Sequence, residues 1–200
     1  MRTRLHCVRP LFLCSRTWAG FRIPPGYHWY VKSRLTAYLR KHLLGTVYVH
    51  ATLVNVSGAG VMIRGASGSG KSRCALELIR RGHQLVADDL VCVRRRGRGR
   101  LRGSSHQGIK GLIEVRGRGI VNVCEQFEAS VVSGSSPVDL VFDLTGMPGR
   151  QGIGAEPCSR FRLLGRDLPV FRWSGSSGDD PADSVERVAA DRRVWAGAVL

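Results

Sequence analysis

Apolar and polar positions alternate between residues 47 and 56, where the segment VYVHATLVNV is rich in β-branched side chains. A repeat of two residues is typical of a strand with one buried face. A Ser-Gly-Ala-Gly turn follows, and the apolar run after it predicts a second strand over residues 61–64. The pattern therefore predicts two strands joined by a tight turn.

The spacing changes after a glycine-rich stretch. In SRCALELIRR, the apolar residues Ala75, Leu76 and Ile79 recur at helical spacing, and Gly82 follows them. This spacing predicts an amphipathic helix that stops at the glycine. The order of elements is thus strand, glycine loop, helix.

Downstream, the pattern returns mainly to strands. HQLVADD predicts a short strand that ends in Asp88 and Asp89, and LVCVRRRGRGRLRG predicts a hairpin with an Arg/Gly turn. Asp180 is expected to cap a final helix that has Pro181 at its first position. Strands outnumber helices, so we expect an α/β domain with a mixed sheet. Further strands are expected in GLIEVRGRGIVNV, in residues 137–144 and in residues 161–173.

Composition fits one globular domain of 200 residues, with 43% hydrophobic and 23% charged residues. No uncharged apolar run approaches the roughly 18 residues that a transmembrane helix needs, so we expect no membrane partner. The six cysteines form no CxxC pair, which favours reduced thiols in a cytoplasmic protein.

The net charge is +16, from 31 Lys and Arg against 15 Asp and Glu. The excess lies in residues 1–45, which contain no acid, and in RRRGRGRLR at residues 94–102. Because the basic character belongs to segments, we expect no nucleic-acid partner, although a basic nucleic-acid binder remains a rival interpretation. Residues 1–45 are interpreted as a basic extension before a domain at residues 46–200. A presequence, a transit peptide and an over-extended reading frame are alternative explanations of the extension.

GASGSGKS satisfies the phosphate-loop pattern GxxxxGK[ST] in full. Its glycines let backbone N–H groups converge on a polyphosphate, and the following helix adds the positive end of its dipole. Lys71 can reach the β and γ phosphates of ATP, and the Ser72 hydroxyl can complete a Mg²⁺ shell. The predicted nucleotide-binding residues are Gly65, Ala66, Ser67, Gly68, Ser69, Gly70, Lys71 and Ser72.

A phosphate loop of this type needs an acidic partner for Mg²⁺ at the end of a neighbouring strand. Asp88 and Asp89 stand at such an end, and adjacent carboxylates can divide the work, one facing the metal and the other taking a proton. By residue type alone, His50 in YVHATLV is more typical of a structural strand histidine.

Four segments of the chain, taken in order, resemble the C-terminal kinase domain of bacterial HPr kinase/phosphorylases. They are VHATLVNV, GVMIRGASGSGKS, CALELIRRGHQLVADD and GLIEVRGRGIVNV. The resemblance implies a fold of the phosphoenolpyruvate carboxykinase-like type. The resemblance covers residues 47–125, with a weaker continuation to residue 173. The most specific pieces are RGHQLVADD and EVRGRGIVNV.

The resemblance implies a role for each matching residue. Asp89 would be the base toward the serine of the carrier, and the acid when inorganic phosphate attacks the phosphoserine. His50 would be the active-site histidine. Asp88 and Glu114 would join Ser72 at Mg²⁺, and Arg116 belongs to the same motif as Glu114. Arg150 is the best match to a later active-site arginine.

Taken together, these features predict that the protein is an ATP-dependent serine kinase acting on an HPr-type phosphocarrier protein. Arg118 replaces an apolar residue of the family signature, and the C-terminal region is short, so the reverse phosphorolysis and homo-oligomer formation are left open. A nucleotide-binding regulatory module with altered catalysis and a small-molecule P-loop kinase are the alternative functions.

Overall fold

The fold is known from a computed structural model, which describes residues 33–34, 45–97, 99–144, 157–173, 180–191 and 195. The chain divides into two compact units, Met1–Tyr38 and Leu39–Leu200. In the first unit, Ser33 and Arg34 are described and are helical. Within the described ranges, no helix is long and apolar enough to cross a membrane.

Twelve strands lie in the described ranges. Their bounds are β1 Thr46–His50, β2 Thr52–Val56, β3 Ala59–Arg64, β4 Gln84–Ala87, β5 Leu90–Arg96, β6 Arg100–Ser104, β7 Leu112–Val115, β8 Gly119–Asn122, β9 Ser136–Pro137, β10 Leu140–Asp143, β11 Ser159–Leu163 and β12 Arg166–Arg172. They form a mixed six-stranded sheet of order β11-β12-β10-β3-β2-β4, an antiparallel four-stranded sheet of order β1-β5-β6-β9 and a separate hairpin β7-β8.

Three α-helices are described, α1 Lys71–Arg80, α2 Val123–Gln126 and α3 Pro181–Ala190, together with 3-10 turns at Gln107–Ile109 and Ala129–Val131. The side chain of Asp180 accepts a hydrogen bond from the N–H of Ala182 at 3.0 Å, so the predicted cap of the last helix is confirmed. The predicted helix after the glycine loop is confirmed as α1.

The six-stranded sheet separates two apolar cores. Val61 and Ile63 of β3 pack with Leu78 of α1 and Val185 of α3 on one face. Met62, which points the other way because strand side chains alternate, packs with Val93 and other residues of the four-stranded sheet. Helices, large sheet and small sheet therefore form three layers.

The prediction of one strand over residues 47–56 is wrong, because the chain changes sheets at Ala51. Residues before it pair with β5 in the small sheet, and residues after it pair with β3 and β4 in the large sheet. The alternation runs through the break, so the sequence pattern contains no signal for it. Corners of this kind arise where a strand passes from one packed sheet to another.

Candidate active site

Two strand connections pass between the sheets at the same place. Ala51 links β1 to β2, and Asp88 and Asp89 link β4 to β5. The N–H of Ala51 donates to the backbone oxygen of Asp89 at 3.3 Å, and the N–H of Leu90 donates to that of Asp88 at 2.7 Å. We call these two adjoining connections, Ala51 and Asp88–Asp89, the carboxylate corner, or the corner for short. The corner brings His50 beside the two carboxylates, although they are 38 or more residues apart in sequence.

The phosphate loop lies between β3 and α1, as its sequence context predicts. Gly68 and Gly70 have φ of 78° and 94°, a region that favours glycine, and Gly70 precedes the first helical residue. The first turn of a helix leaves backbone N–H groups without intrahelical acceptors, so α1 directs donors into the loop. The Lys71 ammonium, on a largely buried side chain, donates to the carbonyl oxygens of Gly65 and Ala66 at 3.0 and 3.1 Å.

The loop has the features of a polyphosphate cradle. A Cβ on Gly65 would lie 2.4 Å from Ser69 Oγ, and one on Gly68 would lie 3.1 Å from an Arg116 guanidinium nitrogen. Within the described ranges, Ser69 Oγ is one of three buried side-chain polar atoms without a hydrogen-bond partner. An unpaired buried hydroxyl, a lysine and an arginine at one glycine loop are chemically suited to phosphate oxygens.

Asp88 is the buried carboxylate of the corner, with 6% of its surface exposed. It accepts hydrogen bonds from Thr52 Oγ1 at 2.6 Å and from the backbone N–H of Glu114 at 3.1 Å. The Ser72 hydroxyl lies 3.2 Å from its second oxygen. Three donors on three different segments hold this carboxylate against the first turn of α1.

Of the three residues predicted for Mg²⁺, Ser72 and Asp88 are therefore in side-chain contact, and Glu114 reaches Asp88 through its backbone N–H. Mg²⁺ in phosphoryl-transfer sites is typically held by one or two carboxylates together with phosphate oxygens and waters. No group of three or more His, Cys, Asp or Glu side chains within the described ranges is arranged to hold a metal by itself. The oxygen set fits a Mg²⁺ ion that arrives with a nucleotide, and it does not resemble a closed protein cage.

Asp89 has a different environment from its neighbour. Its side chain is 68% exposed, and its oxygen lies 2.6 Å from Nε2 of His50, whose side chain is 58% exposed. Its φ of 63° is left-handed, which is uncommon for a residue other than glycine. This backbone conformation directs one of two consecutive carboxylates inward and the other outward.

The structure brings His50 to Asp89, and it brings Ser72 and the Glu114 backbone to Asp88. The other predicted phosphate-loop residues directly precede Ser72 in the chain. Arg150 lies outside the described residues. Sequence reasoning missed Thr52, whose hydroxyl makes the shortest hydrogen bond to Asp88. Its position two residues after His50 indicates a role in the site only once the change of sheet at Ala51 is known.

Residues 41–162 match the model of the HPr serine kinase C-terminal domain, which is well over half of the chain. The chain belongs to this family.

Two curated relatives support the assignment. The chain is 48% identical over 167 residues to the HPr kinase/phosphorylase of Geobacillus kaustophilus strain HTA426, covering 82% of this chain and 53% of that protein. It is 37% identical over 139 residues to the HPr kinase/phosphorylase of Geobacter sulfurreducens, covering 70% of this chain and 41% of that protein. The chain thus spans about half the length of these relatives.

A solved structure described as the Hpr(Ser) kinase/phosphatase from Coxiella burnetii superposes with a TM-score of 0.66 at 28% identity. The match covers 74% of this chain and 90% of that one. The predicted family and the mixed α/β fold are both confirmed.

Proposed function

We propose that this chain is an ATP-dependent serine kinase that phosphorylates an HPr-type phosphocarrier protein with Mg²⁺ as its cation. The supporting observation is the corner itself, where a phosphate loop, a buried carboxylate beside Ser72 and an exposed carboxylate beside His50 meet. The family membership agrees with this function, since the relatives carry the name HPr kinase/phosphorylase.

The residues of the loop would bind and orient the nucleotide. Lys71, whose ammonium group now contacts two loop carbonyls, would move to the phosphates, and Arg116 lies near Gly68, where it can add a second positive charge. Ser72 and Asp88 would hold Mg²⁺, with Glu114 beside them. The bound ion would neutralise negative charge that develops on the phosphate oxygens.

Asp89 would act as the base. The exposed carboxylate can accept the proton of the incoming serine hydroxyl. As it does so, the serine oxygen bonds to the γ-phosphorus of ATP, and the bond from that phosphorus to the β-γ bridging oxygen breaks. His50 at 2.6 Å would orient the carboxylate and stabilise its charge. In the phosphorolysis reaction, an oxygen of inorganic phosphate would bond to the phosphorus of the phosphoserine and the bond from phosphorus to the serine oxygen would break, which yields pyrophosphate. A protonated Asp89 would give its proton to the departing serine oxygen.

We place this activity in the cytoplasm. The described cysteines, Cys74, Cys92, Cys124 and Cys158, are all free thiols. The pKa of Cys74 is raised to about 12, mainly by burial and secondly by the nearby Asp180 carboxylate. This thiol therefore stays protonated at neutral pH.

The test is incubation of the purified chain with ATP, Mg²⁺ and the HPr homologue of the same genome, with mass spectrometry to locate a phosphoserine. We expect a single modified serine, and we expect Lys71→Ala to lower the rate by about 100-fold or more because it removes a preorganised charge. ATP binding without transfer would favour a regulatory module. Transfer to a metabolite but not to the carrier would favour a small-molecule kinase.

A further inference from the structure

The hairpin β5–β6 presents four arginines on one face. The register pairs Arg94 with Arg102 and Arg96 with Arg100, and residues directly opposite each other point to the same side of a sheet. All four are exposed. Arg95 pairs with Leu101 on the other side, where Leu101 is buried in the core between the sheets.

Among the residues that the structure describes, no carboxylate compensates the four charges, since none forms an ion pair with any of them. Like charges that lie directly opposite each other across two strands are destabilising. The contacts of Arg102 with the described part of the chain go to neutral acceptors, Ser135 Oγ at 2.8 Å and the Ser135 carbonyl at 3.4 Å. A face of this kind gains stability when an external anionic group covers it.

The same face continues to the candidate active site. The register between β1 and β5 pairs Tyr48 with Cys92 and His50 with Leu90, so His50 and Tyr48 share the side that carries Arg94. Tyr48 is 56% exposed and Leu90 is 37% exposed, two of the three exposed large hydrophobic residues among those described. The short side chain of Cys92 between them is buried. We call this surface the ribbon face, and its members are Tyr48, Leu90, Arg94, Arg96, Arg100 and Arg102.

The ribbon face has the length of a single protein contact. At about 3.3 Å per residue, Arg94 lies roughly 17 Å along the strand from Asp89, and Arg96 lies roughly 23 Å from it. An interface of standard size covers about 800 Å² per partner, which is roughly 30 Å across. A bound protein of this contact width that has Asp89 near one edge of its footprint would therefore also cover the arginines.

We propose that the ribbon face docks the protein substrate, and that the substrate presents Asp and Glu side chains to its four arginines. This inference rests on the proposed function, because it assigns the acceptor to the same site. Guanidinium groups bind carboxylates in a bidentate manner, and tyrosine and arginine are enriched at protein contact centres. Single-stranded nucleic acid is a poorer fit, since its bases stack on several aromatic side chains and the ribbon face has only Tyr48.

Two adjacent arginines supply a matched pair of variants. Arg94→Glu changes the ribbon face, whereas Arg95→Glu makes the same change of charge on the opposite side, where Arg95 contacts the Leu164 carbonyl at 3.5 Å. For Arg94→Glu we expect KM for the carrier to rise about 10-fold at low salt, with kcat and ATP affinity within about twofold of the parent. Arg95→Glu should leave all three unchanged. Raising the ionic strength should increase the KM of the parent more than that of Arg94→Glu.

The double variant Arg94→Gln/Arg102→Gln removes two charges without adding any. It should also raise KM for the carrier. Its melting temperature should stay close to that of the parent, because the loss of an opposed pair of like charges offsets the loss of the Arg102 contacts to Ser135. This variant separates lost docking from failure to fold.

Equal KM values for Arg94→Glu and Arg95→Glu, whether both unchanged or both raised, would overturn the inference. Direct titration of fluorescently labelled carrier tests the docking inference separately from the proposed function. If the carrier binds in a manner that depends on Arg94 but is not phosphorylated, only the kinase assignment is refuted. A single-stranded oligonucleotide that binds the parent but not Arg94→Glu, with carrier binding the same in both, would assign the face to nucleic acid and overturn the proposal.

Discussion

At the scale of single residues, Asp88 and Asp89 show how two consecutive carboxylates acquire different chemistry. Asp88 is buried and accepts hydrogen bonds from Thr52 and from the N–H of Glu114, so its position is fixed. Asp89 is exposed, and its left-handed backbone turns it toward His50. Residues held in sparsely populated backbone regions tend to cluster at functional sites, which agrees with the role proposed for Asp89.

The separation of roles predicts the effect of Asp89→Asn. Asparagine tolerates the left-handed backbone and has the same shape, so the fold and ATP affinity should be kept. The variant lacks the base, and we expect kcat for transfer to fall by about 10²- to 10⁴-fold. Nucleotide titration and single-turnover transfer measure the two quantities separately.

Asp88→Asn is the matched control, because its amide N–H₂ would face the hydroxyl and N–H donors that Asp88 now satisfies. This variant should lose stability and Mg²⁺-dependent nucleotide binding. Transfer at the parental rate by Asp89→Asn would remove the base from the proposed mechanism.

At the scale of elements, α3 is held to the end of α1 by charged groups. Arg81, just after α1, contacts Asp180 at 2.6 Å, Asp183 at 2.5 Å and Glu186 at 2.8 Å. Nε2 of His83 lies 2.8 Å from the other oxygen of Glu186. Hydrogen bonds to Asp183 and Glu186 raise the pKa of Arg81 above its ordinary value, so this residue stays charged throughout.

This contact predicts a pH dependence of stability. Burial alone would raise the pKa of Glu186, but hydrogen bonds from His83 and Arg81 outweigh it and hold the pKa below its ordinary value of 4.5. Because the pKa is lower in the folded state, the stabilisation is present above the unfolded value and is lost as the pH falls through the folded value. Urea unfolding between about pH 6 and 3 should show this loss.

Glu186→Gln should be less stable than the parent at neutral pH and should show a smaller loss on acidification. Glu128→Gln, at an exposed acid away from α3, is the control and should follow the parent curve. Parallel curves for the parent and Glu186→Gln would show that Glu186 does not contribute to the attachment of α3.

Local elements were predictable from the sequence, and the corner was not. The strand, loop and helix around GASGSGKS and the Asp180 cap depend on contacts within a few residues, which local patterns report. The break at Ala51 depends on which distant strands each half pairs with, and the alternation of VYVHATLVNV is the same for either sheet. The contact between Thr52 and Asp88 joins residues 36 positions apart, which no local pattern reports.

At the scale of the molecule, the described site residues lie between His50 and Arg116, and the family match begins at residue 41. Within the described ranges, the residues of the phosphate loop and of the carboxylate corner all follow residue 45. The small sheet does use the end of that segment, since the N–H of Arg95 donates to the carbonyl of Gly45 at 3.0 Å. The functional unit is therefore expected to begin between residues 41 and 45.

We accordingly predict that a chain lacking residues 1–40 keeps its fold, its ATP affinity and its transfer to the carrier. Residues 1–45 contain no acid, so the truncated chain should also lose most salt-sensitive, sequence-independent retention of oligonucleotides. Circular dichroism, nucleotide titration and gel retardation measure the three properties. If the truncated chain does not fold, the extension is part of the core of the fold. If it retains oligonucleotides as well as the parent does, the main contact with polyanions is made by the arginines of β5 and β6.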